Sequence, residues 1–188
     1  LWNRDGTQVY FRLPKPLPPQ KSLDLEITWN LLQPLKTQLR SGTYDSLSFF
    51  IAYWFPRIAV YDDIFGWDYT QHLGSGEFYN DFGNFDVRMT IPGDYLMWAT
   101  GELQNAGELL TKQTTERLKK AAENRKTTTI ATFDDLKQHK VLNPGKLKIW
   151  NFKADHVTDF AFGISPVYQW DQASVTLKDG RTVLVNAA

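Results

Sequence analysis

The sequence predicts a mainly β fold, an antiparallel, saddle-like β-sandwich with a short helical insertion around residues 109–142. Three observations point to it. Apolar and polar residues alternate in short runs along much of the chain, the period-two pattern of strands with one buried face. Compact turn signals, Pro92-Gly93-Asp94 and Asp179-Gly180 among them, punctuate those runs. Only between Leu109 and Leu142 does the spacing change to a helical period, in a glycine-free run rich in Lys, Glu and Gln. Short strands joined by tight turns, with a single helical excursion, suit a sandwich.

Taken in order, Gln8 to Leu13 alternates as a strand until Pro14, Pro16, Pro18 and Pro19 stop it, since proline lacks the ladder donor. Ser22 to Trp29 places Leu23, Leu25, Ile27 and Trp29 on one face of a predicted strand. Leu47 to Phe55 is almost continuously apolar, which predicts a strand buried on both faces. Phe85 to Ile91 alternates, turns at Pro92-Gly93-Asp94, and Tyr95 to Thr100 returns as its predicted hairpin partner. Leu109, Leu110, Leu118, Ala121 and Ala122 then mark a helix of about three turns. Thr127 to Ala131 reads as a short strand. Thr132-Phe133-Asp134-Asp135 reads as a capping box with Asp in place of Glu, opening a second helix through Leu136 to His139. After Asn143-Pro144-Gly145 strands resume at Leu147 to Phe152, Val157 to Ile164, Val167 to Asp171 and Ser174 to Leu177. Asp179-Gly180 predicts a hairpin with Arg181 to Val185, because both turn positions tolerate positive φ. There is no internal repeat, so residues 1–188 read as one β domain carrying the 109–142 insertion. The start at Leu1, without Met or a signal-like apolar run, reads as a boundary within a longer protein.

Composition narrows the function. Hydrophobic residues make up 42% and charged residues 22%, which predicts a buried core rather than disorder. Twenty-one basic residues balance twenty-one acidic ones, so no basic excess points to nucleic acid or an anionic membrane. No apolar run is long enough to span a bilayer. The absence of cysteine removes disulfides, thiol nucleophiles and Cys-ligated metals.

Motifs for chemistry are wanting. A gluzincin zinc site needs two histidines one helical turn apart with a Glu beside the first. His72, His139 and His156 are far apart in sequence and none precedes Glu, so hydrogen-bonded or surface roles are favoured over a three-His site assembled in space. No nucleophile elbow, P-loop or dinucleotide fingerprint occurs, and Gly74-Ser75-Gly76 reads as a turn. Asp62, Asp63 and Asp68 flank Gly66-Trp67, and Asp81, Asn84 and Asp86 flank Gly83. Such loop acids either bind Ca²⁺ or fix turns through their own backbone; turn chemistry is favoured, and the cation question stays open. A carboxylate pair for glycoside hydrolysis has no sequence signature here. Seven Trp, eight Tyr and twelve Phe exceed what turns and surface explain, and they suit a core or interface, or a sugar-stacking platform.

Leu13-Pro14-Lys15-Pro16-Leu17, Trp54-Phe55-Pro56-Arg57, Val60-Tyr61-Asp62-Asp63 with Gly66-Trp67, Gly76-Glu77-Phe78-Tyr79, Gly83-Asn84-Phe85-Asp86-Val87, Thr90-Ile91-Pro92 and Ala99-Thr100-Gly101 follow one another in fixed order. That series resembles the N-terminal domain of M1-type zinc aminopeptidases, particularly a bacterial branch. Trp150-Asn151-Phe152-Lys153-Ala154 and Val157 to Phe162 continue the series, so the resemblance covers nearly the whole chain. It implies a saddle-shaped, non-catalytic β domain that packs on a thermolysin-like catalytic domain and shapes its substrate cleft. In that family the catalytic domain carries the zinc ligands, the general-base Glu and a Gly-x-Met-Glu-Asn motif. Gly101-Glu102-Leu103-Gln104-Asn105 lacks the Met-Glu pair and takes no such role. Family members often lend a Glu or Gln from just before the Trp-Phe-Pro-like segment to the substrate amine, but Ser46 to Tyr53 contains neither.

The resulting expectations are concrete. The chain has no catalytic, cofactor or metal residues of its own and hydrolyses nothing alone. Zinc sits in the parent's catalytic domain, which is the partner, and peptide substrate is met through the parent. Trp54, Tyr61, Trp67, Tyr69, Glu77 and Tyr79 are the interface or cleft candidates. The resemblance implies an extracytoplasmic setting, periplasmic or secreted. The alternative is a carbohydrate- or peptide-binding β-sandwich module, and a third reading is a purely structural sandwich.

Overall fold

The computed structural model describes residues 2–36, 40–76 and 78–188. In chain order the elements are β1 (Trp2–Asp5), β2 (Gln8–Phe11), β3 (Gly42–Thr43), β4 (Phe49–Ile51), β5 (Tyr61–Asp62), β6 (Gly66–Trp67), β7 (Gly83–Pro92), β8 (Leu96–Ala99) and β9 (Glu102–Leu103). There follow α1 (Ala106–Leu109), α2 (Lys112–Ala122), β10 (Thr128–Ala131), α3 (Phe133–Lys137), β11 (Leu147–Val157), β12 (Phe162–Ser165), β13 (Trp170–Thr176) and β14 (Thr182–Ala187). The protein is mainly β, built from several antiparallel sheets with few helices, an architecture compatible with a β-sandwich. The chain divides into two compact units, Leu1–Leu31 with Phe55–Phe82, and Leu32–Trp54 with Gly83–Ala188.

The larger unit is organised around β11. Lys148, Trp150, Phe152 and Ala154 alternate inward along it, and Trp150 is wholly buried. β11 pairs with β7 so that Trp150 faces Met89, Phe152 faces Val87 and Ala154 faces Phe85, which aligns the buried faces of both strands. Their outward faces carry the opposed Lys153 and Asp86, 3.4 Å apart, an exposed ion pair worth little. At Ala154 to Val157 the register shifts by a bulge; His156 takes φ 55° and its amide donates to Asn84 Oδ1 at 2.9 Å. A second sheet runs β3-β4-β12-β8, pinned by a buried Ser48 to Ser165 hydroxyl hydrogen bond of 2.8 Å. A third runs β10-β13-β14.

The helices cover part of that third sheet. α2 packs on β10 and β13, burying Thr114 and Ala121. Thr111 caps α2 through the Thr114 amide. The predicted capping box is present at α3: Thr132 accepts from the Asp135 amide, and Asp135 accepts from the Thr132 amide. His139 takes φ 52° after α3, with its amide bonded to the Leu136 carbonyl and that of Lys140 to the Asp135 carbonyl, the paired closure of a helix C-terminus.

The smaller unit contains two hairpins. β1 pairs with β2 from Trp2–Phe11 to Asp5–Gln8, and β5 pairs with β6. Gln71 clasps the first turn: its Oε1 accepts from the Thr7 amide at 2.7 Å and its Nε2 donates to the Asp5 carbonyl at 2.9 Å.

Five sequence expectations need correction. Val157 to Ile164 is not one strand: Val157 ends β11, and β12 begins only at Phe162. Ser22 to Trp29 forms no strand: every residue in it is exposed, and it belongs to none of the ladders among the described residues, so the alternation has no buried face to serve. The buried strand at Leu47 to Phe55 shrinks to β4, whose Phe50 remains exposed at 37%. Tyr95 to Thr100 is not the hairpin partner of β7. The Gly93 amide bonds the Lys146 carbonyl at 2.9 Å, so β7 pairs with β11 while β8 leaves to join β12. Finally, Val167 to Asp171 and Ser174 to Leu177 are one strand, β13, which pairs with β14 across the predicted Asp179-Gly180 turn.

Candidate functional site

The smaller unit places most of the aromatic candidates on its surface. Asp62 begins the turn between β5 and β6, and its Oδ1 accepts from the Ile64 and Phe65 amides at 2.9 and 2.6 Å. Gly66 closes the turn with φ +73°. This geometry sets Tyr61 directly opposite Trp67, and their rings meet edge to face at 5.2 Å. An aromatic pair of this kind contributes about 0.5–1.5 kcal/mol beyond its buried area. The turn tip then projects Ile64 and Phe65 into solvent, Phe65 being 83% exposed.

Tyr79 reaches the same turn. Its hydroxyl donates to Asp62 Oδ2 at 3.1 Å. The Phe65 amide above all, helped by the Ile64 amide and the Tyr79 hydroxyl, holds the Asp62 carboxyl below its ordinary value, burial opposing. The same hydrogen bond to Asp62 pushes the Tyr79 phenol up. Tyr69 stacks on Tyr10 at 6.1 Å, joining the chain after β6 to β2. His72 stacks on Phe78 at 4.2 Å, and the Arg57 guanidinium lies over Phe55 and Phe78 at 5.0 and 5.5 Å. Four candidates, Tyr61, Trp67, Tyr69 and Tyr79, therefore belong to this unit. Trp54 belongs to the larger unit, where its Nε1 donates to the Phe160 carbonyl at 2.9 Å and its ring meets Phe160 and Phe162 edge to face. Glu77 lies outside the described residues.

Sequence reasoning did not single out Ile64, Phe65 or Tyr10. The spacing of Asp62 and Gly66 was the available signal, because an Asx turn closed by a left-handed glycine thrusts the residues between them outward.

Three of the loop acids bond the backbone, while Asp86 pairs with Lys153. Besides Asp62, Asp68 Oδ1 accepts from the Thr70 amide at 3.0 Å and Asp81 Oδ1 from the Phe82 amide at 2.7 Å. No group of three or more His, Cys, Asp or Glu side chains arranged to hold a metal ion occurs among the described residues. Among the described residues no helix is long and apolar enough to cross a membrane. No family model, no curated protein and no solved structure matches this chain.

Proposed function

We propose that this chain is a non-catalytic β module that packs onto the catalytic domain of its parent protein, that the parent is an M1-like zinc aminopeptidase, and that the module shapes the parent's substrate cleft. One observation carries the reading: the smaller unit exposes Tyr61, Ile64, Phe65, Trp67 and Tyr69 together around a turn held rigid by Asp62. Solvent-facing aromatics on a braced turn cost little entropy to bury, the property of residues that anchor protein interfaces. The resemblance of the ordered motifs from Leu13 to Phe162 is what favours an M1-type catalytic domain as the partner.

The test mixes this chain with the separately expressed catalytic region of the parent and follows association by gel filtration and aminopeptidase turnover. Co-elution is expected, and Phe65→Ala with Trp67→Ala weakens it by about tenfold or more, as truncation of interface anchors does. Absence of association, together with full activity of the catalytic region alone, sinks the reading. The purified chain by itself gives no chelator-sensitive hydrolysis of aminoacyl fluorogenic substrates.

A further inference from the structure

The larger unit holds a pocket that the docking role does not use. It opens between the turn after β7, the end of α3 and the loop leading to β11, with a volume of about 290 Å³. Leu136, Val141, Leu142 and Pro144 give it apolar walls. Lys148 also lines it, at an inward position of β11 in phase with Trp150 and Phe152, and is only 7% exposed. The Lys148 ammonium donates to the Gly93 carbonyl at 2.6 Å, and no carboxylate lies within ion-pair distance of it among the described residues. A buried ammonium ordinarily has a counter-charge, since removing it from water without one is expensive. The other polar groups are placed differently. Asn143 spends its amide on the Glu108 and Leu110 carbonyls at 2.9 and 3.0 Å, while Asp94 and His139 are exposed at the rim. The turn and the loop meet backbone to backbone at the pocket, since a side chain on Gly93 would fall on the Gly145 carbonyl.

We propose that this pocket binds a small monocarboxylate with a compact apolar body, the carboxylate pairing with Lys148 and the body lying against Leu136, Val141, Leu142 and Pro144. One acceptor, the Gly93 carbonyl, leaves ammonium protons for a ligand oxygen, and a carboxylate supplies both the hydrogen-bond acceptor and the absent charge. Burial lowers the Lys148 ammonium from its ordinary value, with Asp94 opposing, as expected of a cation lacking a close partner. The volume lies at the lower limit for ligand sites and admits one small acid rather than a sugar chain or nucleotide.

Benzoate, its neutral analogue benzamide, and N-acetyl-leucine are titrated into the full chain, with amide chemical shifts as the readout. The expected result is saturable shifts at residues 93–94 and 136–148 with the acids and none with benzamide. Tighter binding of benzoate assigns the site to free acids, and tighter binding of N-acetyl-leucine assigns it to peptide C-termini. Lys148→Met weakens the acids by about tenfold or more. Asp94→Asn, at an exposed position that leaves the fold intact, tightens them about threefold by removing a like charge. The proposal is overturned by absence of saturable shifts with both acids in wild type and Asp94→Asn, by equal binding of benzamide, or by unchanged affinity in a folded Lys148→Met. Because the pocket lies wholly within the larger unit, none of these results depends on the docking reading.

Discussion

Asp135 gathers several interactions onto one carboxylate. Its Oδ2 accepts from Arg117 Nη1 at 2.6 Å, from the Thr132 hydroxyl at 2.9 Å and from the Thr132 amide at 3.2 Å. Arg117 also donates to the Ile130 carbonyl at 3.1 Å, so this one group ties α2, β10 and the start of α3 together. The Arg117 hydrogen bond, with those from Thr132, holds the Asp135 carboxyl below its ordinary value of 3.8, burial opposing. Asp135→Asn keeps the shape but removes the charge, and it is expected to cost about 1–2 kcal/mol at neutral pH. A carboxyl whose folded value is depressed contributes stability that is complete above the unfolded value and is lost as pH falls through the folded one. The gap between wild type and Asp135→Asn, measured by urea unfolding, is therefore constant down to about pH 5 and narrows below 3.8. A gap that stays the same width at acid pH would show that the carboxylate's charge is not what matters. Gly101 makes a different demand at the same scale: at φ +87° a side chain there would strike the Lys153 carbonyl, which only glycine avoids.

At the scale of elements, the sequence pattern was legible wherever one buried face imposed it. β7 and β11 are readable because each lays alternate residues on the core, and α3 because Thr132 and Asp135 cap locally. Pairing was not legible. Pro92-Gly93-Asp94 announces a reversal, but the Gly93 to Lys146 bond, made with a residue more than fifty positions away, decides which strand lies beside β7. The Ala154 to Val157 bulge hid the continuity of β11 by placing Asp155 and His156 out of phase. For the aromatic site, Tyr61 and Trp67 were legible as candidates, yet their facing each other depends on a hairpin register set by the Asp62 turn. Lys148 was missed as a candidate although a signal existed, a charged residue in phase with Trp150 and Phe152 on a buried face. Ser22 to Trp29 supplies the sharpest test of pattern against packing. Its alternation predicts that Ile27 is core, whereas the structure leaves it 46% exposed. Ile27→Lys is expected to change stability by less than about 0.5 kcal/mol, as at other surface positions. Phe152→Ala, 4% exposed in β11, is expected to cost about 3–5 kcal/mol. Comparable losses in thermal unfolding for the two variants would return Ser22 to Trp29 to the core.

For the whole molecule, the two units differ in how their backbones are protected. The larger one has long ladders, β7 on β11 and β13 on β14, with Trp150, Phe160, Leu96 and Ile130 wholly buried between elements. Among the described residues the smaller one has only the four-residue pairing of β1 with β2 and the two-residue pairing of β5 with β6, and most of its large apolar side chains face solvent. A short hairpin is marginal in water on its own, since three or more strands with a common apolar face are needed for independent stability. Opening of an element costs free energy in proportion to the apolar contact and the ladder bonds that it breaks. Amide exchange should therefore divide the chain. The β7 and β11 amides exchange at the rate of global unfolding, while those of residues 8–31 and 61–67 exchange through local opening with little protection. If a partner domain covers the aromatic turn, as proposed, the 61–67 amides gain protection in its presence while those of β11 stay unchanged, because binding stabilises only what it buries. Equal protection of both units in the free chain would mean that the smaller unit has a core of its own, and the exposed aromatics would then no longer argue for a surface awaiting a partner.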